Sequence, residues 1–353
     1  MKTLKIKDIC DKGSSSLKQK DVENQNGAYP VFGASGLIGK IDTYHQNKDY
    51  IAIVKDGSGI GRVTFMPAFS SVIGTLQYIL PKEGFNIKYI SYCLQSLDLA
   101  HYKQGAAIPH IYFRDYGEYE VNVEENPDDQ QRIVSYLDAE FAKIEALKAN
   151  AEKQLQAAKD LLQAALKELL TPKEGWVEKK LVEVCKEIFS GGDAPKENMS
   201  KEPTIDFEIP IYANAAEFDG LYGYTNYYRV NEPSVTIAAR GSGTGLVIKR
   251  KGAYLPIVRL IVVIPNTFIS VDYLYFALQT IRIKSNGTAI PQLTVPVVKQ
   301  YRICYPPNIT EQQRIAARLD ALSANVKALQ TNYTETITLC NDLKQALLKK
   351  VFG

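Results

Sequence analysis

The chain has 353 residues, of which 45% are hydrophobic and 23% charged, and its formal net charge is +3. This length allows two or three domains with cores of their own, and the composition excludes a disordered or fibrous protein. So small a net charge permits nucleic-acid binding but does not indicate it, because a local basic patch matters more than the total charge.

Cysteine usage and hydropathy favour a protein of the reducing cytoplasm. The five cysteines are scattered and form no C-x-x-C pair, which is typical of buried free thiols rather than disulfides or zinc ligands. The first residues lack the hydrophobic run of a signal peptide. The most apolar stretch, residues 255–265, is too short to cross a bilayer and contains Arg259. We therefore expect a cytoplasmic protein without a membrane partner.

Two mixed globular segments are predicted, at residues 1–127 and 172–307. In the first, the apolar runs 50–54 and 76–80 are typical of strands. In the second, the runs 235–238 and 260–264 have the same character. Both segments are expected to be α+β.

A long predicted helix follows each globular segment. The central helix, residues 128–171, is bounded by Pro127 and Pro172, at positions where proline favours the start and the end of a helix. The C-terminal helix, residues 308–353, carries apolar residues in steps of four and three from Ile315 to Leu347, as in a coiled coil. In the central helix, apolar residues follow the same spacing from Phe141 to Leu169. At about 1.5 Å per residue each helix would be roughly 60 Å long, and we expect the two to pair antiparallel.

The second half of the chain repeats the first. Gln130-Gln131-Arg132-Ile133 recurs 182 positions later as Gln312-Gln313-Arg314-Ile315, and this offset holds along both helices. In the globular segments, Lys55–Gly61 corresponds to Ala239–Gly245 and Gly105–His110 to Gly287–Gln292. Between such landmarks the copies differ almost completely. This predicts one scaffold, with pseudo-two-fold symmetry, that carries two different surfaces.

No motif indicates a catalytic, metal or cofactor site. The two Gly-Ser-Gly loops have the spacing G-x-G-x-G, whereas a dinucleotide-binding turn needs G-x-G-x-x-G, and we expect tight turns with positive φ instead. The stretch from Gly33 to Lys40 is one residue too long for a P-loop, and Ile41 stands where a hydroxyl must hold magnesium. All three histidines lie in the first copy, so no histidine-based mechanism could operate in both.

The repeated motifs resemble those of the DNA-specificity subunit of type I restriction–modification systems. Two variable globular segments alternate with two long helices, and each helix opens on Gln-Gln-Arg-Ile after a Gly-x-Ala-Ile-Pro element. The resemblance covers essentially the whole chain. One departure is Asp129, which stands where the second copy has Glu311.

The resemblance implies a non-catalytic subunit of a site-specific deoxyribonuclease and adenine methyltransferase complex. The globular segments would be target-recognition domains, each reading one half of a split double-stranded DNA site. The helices would serve as a spacer and as docking surfaces for two methyltransferase subunits, through which restriction subunits join. Because the two recognition segments differ, we expect an asymmetric bipartite target and no palindrome.

Candidate DNA contacts lie on the loops beside the repeated glycines. Arginine, lysine and amide side chains read the major groove, and backbone contacts position the protein. In the first segment the candidates are Lys55, Ser58, Arg62, Lys103, Gln104 and His110. In the second they are Arg240, Ser242, Thr244, Lys249, Arg250, Lys251, Lys284 and Gln292. Residues 249–251 form the one dense basic cluster, for which a solvated hairpin turn is an equally good interpretation.

Other interpretations stay open. The chain could belong to a combined methylase–nuclease system, or be an unpartnered copy used for recombination, and neighbouring genes would distinguish these. A coiled-coil scaffold whose duplicated domains bind proteins or sugars is a second alternative, which predicts no DNA affinity even with a methyltransferase present. An independent enzyme is disfavoured by the missing catalytic constellation.

Overall fold

A computed structural model of the chain describes residues 1–23, 25–105, 109–214, 217–241, 243–281 and 293–353. The chain forms two compact units, the first comprising Met1–Lys153 with Tyr333–Gly353 and the second Gln154–Asn332. Each unit thus contains one globular segment and a part of each long helix. The predicted four-part division at residues 127, 171 and 307 groups the chain differently and stays a prediction. Within the described ranges, no helix has the length and apolarity needed to span a bilayer.

In its described residues, the first unit contains nine strands and the first four α-helices of the chain. They are β1 (Lys2–Lys5), α1 (Ile6–Ile9), β2 (Cys10–Ser14), β3 (Tyr29–Gly33), β4 (Gly36–Ile41), β5 (Tyr50–Val54), β6 (Val63–Met66), β7 (Ser71–Val72), β8 (Leu76–Pro81), α2 (Ile87–Gln95), α3 (Phe113–Tyr116), β9 (Glu120–Val123) and α4 (Pro127–Leu170), which continues into the second unit.

The second unit repeats this series. It contains β10 (Val177–Lys180), α5 (Leu181–Val184), β11 (Cys185–Ser190), β12 (Met199–Ser200), β13 (Ile209–Tyr212), β14 (Leu221–Thr225), β15 (Ser234–Ile237), β16 (Val247–Arg250), β17 (Leu255–Pro256), β18 (Ile261–Pro265), α6 (Val271–Thr280), α7 (Val295–Gln300), β19 (Arg302–Tyr305) and the start of α8 (Ile309–Phe352), which ends in the first unit. The four predicted strands are confirmed to within one residue as β5, β8, β15 and β18.

The sheets of the two units correspond strand by strand. The antiparallel sheet β2-β8-β5-β6 of the first unit matches β11-β18-β15-β16 of the second, and the pair β1-β9 matches β10-β19. The sheet β4-β3-β7 matches β14-β13-β17, with a parallel last pair in each, and β12 is an addition. The repeat seen in the sequence is therefore a repeat of topology.

The continuous apolar run of β5 is explained by burial on both faces. Successive side chains of a strand point to opposite faces. Ile51 and Ile53 accordingly join the core under α2, while Tyr50, Ala52 and Val54 join a second core cluster.

The helices α4 and α8 pack antiparallel in the first unit. Lys148 Nζ donates to Asn341 Oδ1 (3.2 Å), and Lys344 pairs with Glu145, so residue numbers rise along one helix as they fall along the other. The predicted seam of α4, from Phe141 to Leu169, is buried or half-buried throughout.

The predicted seam of α8 is only partly right. Leu329 and Leu343 are 39% and 49% exposed, whereas Leu348 and Phe352, which were not assigned to the seam, are 1% and 6% exposed. The end of α8 packs on the first globular segment, where the Phe352 ring lies 5.2 Å from that of Tyr89. The buried face therefore departs from the heptad positions, because it packs on α2 as well as on α4. We call α2 and its counterpart α6 the sheet-covering helices.

A buried glutamine anchors the start of α4. Gln130 is fully buried, and its Oε1 accepts a hydrogen bond from the Asn86 N–H (2.7 Å). Its Nε2 donates to the carbonyls of Gly84 (3.1 Å) and Glu124 (2.9 Å). Because Asn86 is the N-cap of α2, this side chain fixes the start of the long helix to the start of the sheet-covering helix.

Gln312 anchors α8 in the same way. Its Oε1 accepts from the N–H of Ser270, the N-cap of α6, at 2.8 Å. Its Nε2 donates to the carbonyls of Phe268 (3.1 Å) and Pro306 (2.9 Å). The first glutamine of each Gln-Gln-Arg-Ile motif is thus a structural residue.

Replacing Gln312 by alanine should lower the free energy of unfolding by about 1–3 kcal/mol, because buried backbone groups would lose their partners. Urea denaturation followed by circular dichroism measures the change. Gln313→Ala is the matched control, since Gln313 is the next residue and is exposed. Equal losses in the two variants would contradict the anchoring role.

Candidate nucleic-acid interface

The glycine loop of the first unit, residues 55–61, connects β5 to β6. It is closed by a hydrogen bond from the Gly61 N–H to the Val54 carbonyl (2.8 Å). Gly57, Gly59 and Gly61 have φ values of +83°, +81° and +81°, which confirms the predicted tight turn with positive φ. A side chain at Gly61 would also collide with the backbone nitrogen of Ala100, 2.6 Å from its Cβ position.

The glycine loop of the second unit, residues 239–245, is closed in the same way. The Gly245 N–H donates to the Ala238 carbonyl (2.8 Å), and Gly241 and Gly245 have φ values of +81° and +90°. A sequence-distant segment also pairs with each loop in the same way: Leu293 N–H donates to the Ala239 carbonyl as Ile111 N–H donates to that of Lys55, each at 2.9 Å. The two loops therefore share their closing backbone hydrogen bond, and they differ at their start, where Lys55 and Asp56 correspond to Ala239 and Arg240.

An acid lies at the centre of the first candidate site. Asp56 Oδ1 is 2.6 Å from His110 Nδ1, and Lys55 Nζ pairs with the other carboxylate oxygen. Partial burial would raise the pKa of Asp56, but the hydrogen bonds from His110 and Lys55 outweigh it and hold that pKa below its usual value. Asp56 is thus ionised at neutral pH and offsets the charge of Lys55. His110 is 37% exposed, with Nδ1 already engaged, so Nε2 is the nitrogen available for a further contact.

Gln104 lies beside His110. Their backbones exchange two hydrogen bonds of 2.8 Å, and Gln104 Nε2 donates to Asp115 Oδ2 (2.8 Å). The structure therefore brings Lys55, Gln104 and His110 together. Lys103 is exposed next to them.

The remaining candidates of the first unit lie on the glycine loop or directly after it. Ser58 is exposed. Arg62 is also exposed, although its Nη1 donates to the Ala34 carbonyl (2.8 Å).

Tyr112 and Arg114 lie next to His110 and were missed by the sequence prediction. Tyr112 stacks on His110 with centroids 6.4 Å apart, and the Arg114 guanidinium lies 4.8 Å above Tyr112. The aromatic and basic residues directly after His110 were the available signal.

Three predicted contacts of the second unit, Ser242, Lys284 and Gln292, lie outside the described residues. Arg240 is exposed on the glycine loop. Thr244 is half-buried there, and its hydroxyl donates to the Gly241 carbonyl (2.7 Å).

The basic cluster predicted at residues 249–251 is not a solvent-facing patch. Arg250 is 4% exposed; its Nε donates to Thr236 Oγ1 (3.0 Å) and its Nη2 to the Asp219 carbonyl (2.6 Å). Its guanidinium lies 3.6 Å from the ring centroid of Tyr212, and burial lowers its pKa. Alternation along β16 turns this side chain inward, so the sequence cluster leaves only Lys251 exposed.

Lys249 is held by two acids of its own unit. Its Nζ lies 2.5 Å from Asp272 on α6 and 3.2 Å from Asp320 on α8. Burial acts to lower the pKa of Lys249, but these carboxylates raise it.

The first unit makes the equivalent contact with a different set of charges. Lys88 on α2 lies 2.9 Å from Asp138 on α4, and the Tyr92 hydroxyl donates to the same carboxylate (2.5 Å). Since Asn86 corresponds to Ser270, Lys88 corresponds to Asp272. The second unit thus has an acid where the first has a base, and Lys249 supplies the missing cation.

Together these features define a duplicated protein with two loops closed by the same hydrogen bond and two different surfaces. The family model described as the type I restriction modification DNA specificity domain matches residues 1–157 and again residues 173–339. Since these matches cover most of the chain, the chain belongs to this family. It is a type I specificity subunit, a non-catalytic component of restriction–modification systems.

Similar proteins agree with this assignment. A putative type I specificity subunit of Mycoplasma pneumoniae is 28% identical over 347 residues, which are 91% of this chain and 89% of that protein. Another from the same organism is 30% identical over 301 residues, covering 81% and 88%. A chain from a structure on complex assembly and conformational transition of the type I system has a TM-score of 0.76 at 17% identity, covering 99% and 96%, and supports the fold.

Lys249→Met should lower the free energy of unfolding by about 1 kcal/mol, because Asp272 and Asp320 would lose their shared cation. Adding Asp272→Lys restores the base–acid pairing of the first unit and should recover most of the loss. Urea denaturation measures both effects, and Lys251→Met, at an exposed position, should change little. A double variant no more stable than Lys249→Met would show that the compensation is wrong.

Proposed function

We propose that this chain gives a type I modification complex its DNA sequence specificity by reading an asymmetric, bipartite target. Each globular segment would contact one half of a split double-stranded site. Two methyltransferase subunits would dock on the long helices, and restriction subunits would join through them. The chain would need no cofactor of its own.

The observation that carries this proposal is that the two glycine loops are closed by the same backbone hydrogen bond but carry different residues at their start. The closing hydrogen bonds at Gly61 and Gly245 are the same, at 2.8 Å. The first loop carries Asp56, which pairs with His110 next to the amide of Gln104, whereas the second carries Arg240 at the position of Asp56. Since base edges are distinguished by their donors and acceptors, two such surfaces suit two different half-sites.

Most predicted contacts are retained as parts of this proposal. Lys249 and Arg250 are not part of the proposed interface, because their side chains are bonded to residues of their own unit. The three residues outside the described ranges stay predictions. The proposed contacts are Lys55, Ser58, Arg62, Lys103, Gln104, His110, Arg240, Thr244 and Lys251.

Exposed leucines at equivalent positions of the two helices support the docking of two like partners. Leu147 and Leu329 are 58% and 39% exposed, and Leu161 and Leu343 are 53% and 49% exposed. Each pair has the 182-residue offset of the repeat. Apolar side chains that stay exposed at equivalent positions suit a partner that binds twice, once to each unit.

The proposal predicts a split, asymmetric methylation motif that depends on this chain. Methylated adenine would be mapped genome-wide in cells that express the chain with its neighbouring methyltransferase, and in cells that lack the chain. The motif should vanish without the chain, and replacing residues 172–307 by those of another specificity subunit should change one half of it. Identical methylation in both strains, with an active methyltransferase, would favour the scaffold alternative, and a palindromic motif would contradict two different half-sites.

The docking proposal predicts a stepwise loss of methyltransferase. Leu147→Glu with Leu343→Glu alters the two of these leucines that lie in the first unit, and the purified complex should then retain one methyltransferase in place of two. Adding Leu161→Glu and Leu329→Glu should remove the second. Native mass spectrometry gives the stoichiometry, and circular dichroism checks that the helices persist. Two bound methyltransferases in the fourfold variant would place docking elsewhere.

A further inference from the structure

The second unit contains a turn with a strained backbone. Val258 and Arg259 have φ values of +51° and +62°, in the left-handed region that favours glycine and that β-branched residues rarely adopt. The Leu260 N–H donates to the Ile257 carbonyl (3.0 Å), so residues 257–260 form a turn in which asparagine and glycine are the usual central residues. Strain of this kind persists where surrounding structure enforces it, and it is frequent at binding sites.

The equivalent turn of the first unit is not strained. The Leu76 N–H donates to the Ile73 carbonyl over the same distance, 3.0 Å. Gly74 and Thr75 stand at its centre, and neither has a positive φ. The fold that the two units share therefore does not require a strained turn at this position. The strain is specific to the second unit.

Neighbouring loops hold the strained turn against the glycine loop. The Val258 N–H donates to the Gly192 carbonyl (2.7 Å). Asn214 Nδ2 donates to the Val258 carbonyl, and Asn214 Oδ1 accepts from the Ala239 N–H (2.7 Å). One amide side chain thus joins the turn that carries Arg259 to the loop that carries Arg240.

Arg240 and Arg259 line the same cavity, of about 210 Å³, together with Thr294 and the apolar side chains of Ile261 and Leu293. Both arginines are exposed, and within the described ranges neither guanidinium has a hydrogen bond or an ion pair. Two like charges on one small cavity repel each other unless a ligand rich in acceptors binds there. Arg229, whose partner Ser190 also lines the cavity, already donates to the Ser190 carbonyl (3.2 Å).

We propose that Arg259, together with Arg240, reads a guanine in the half-site recognised by the second unit. This inference rests on the proposed DNA-binding function. The two parallel N–H groups of arginine match the O6 and N7 acceptors of guanine. A phosphate contact needs only a positive charge, which an unstrained turn would present equally well. A base edge can be recognised only by a guanidinium in one orientation. This requirement explains why Arg259 is held on a backbone with a positive φ that arginine disfavours.

The test is the methylation motif written by the complete modification complex that carries Arg259→Gly or Arg259→Lys. Glycine relieves the strain, so Arg259→Gly should raise the melting temperature of the subunit while it lowers discrimination at one G·C position about tenfold or more. Lysine keeps the charge but not the paired N–H groups, and it should relax the same position. That position should fall in the half that replacement of residues 172–307 changes.

Val258→Asn is the matched control, because it relieves strain at the adjacent residue and leaves Arg259 in place. It should keep the wild-type motif. An unchanged motif in both Arg259 variants would overturn the inference. So would weaker methylation at all sites with the motif kept, which is the result expected of a phosphate contact. A wild-type complex without a split motif would overturn the proposed function and this inference with it, so the two failures are distinguishable.

Discussion

Burial of one glutamine at the start of each long helix is the interaction on which the rest of the fold depends. In both units the amide bonds to three backbone groups: the N-cap of the sheet-covering helix, a carbonyl two residues before that cap, and a carbonyl in the connection to the long helix. Any other arrangement would leave a buried polar group without a partner, which is more costly than a change in apolar packing. The direction in which each long helix leaves its globular segment is therefore fixed at this residue.

Around these anchors the charged residues of the two units differ, but a change at one position is compensated by a change at another. Lys88 and Asp138 bind directly in the first unit, whereas in the second an acid replaces the base and Lys249 bridges Asp272 and Asp320. The contact between the sheet-covering helix and the long helix is kept, although its residues are not. The same holds for the glycine loops, which share closing hydrogen bonds but have Asp56 in the first unit where Arg240 stands in the second. Duplication of this kind yields two surfaces that can be changed independently on one scaffold.

The candidate site was predictable where backbone conformation decides it. Glycine at positive φ fixes both loops, and Arg240 and His110 lie beside them as the sequence indicated. Arg250 was not predictable, because three consecutive bases do not reveal which one a strand turns inward. Arg259 lies in the most apolar stretch of the chain, and its importance follows from the strained turn and from Asn214, which is distant in sequence.

The sequence by itself determined the duplication, the bounds of the long helices and the four main strands. Apolar periodicity, proline positions and repeated motifs are local patterns, and local backbone preferences respond to them directly. Only the tertiary structure decided which helix leucines stay exposed and which basic side chains face solvent. Leu348 and Phe352 are buried because Tyr89 and its neighbours arrive from a distant part of the chain, and Arg250 is buried because Tyr212 and Thr236 enclose it. Burial depends on such distant neighbours, which no local pattern specifies.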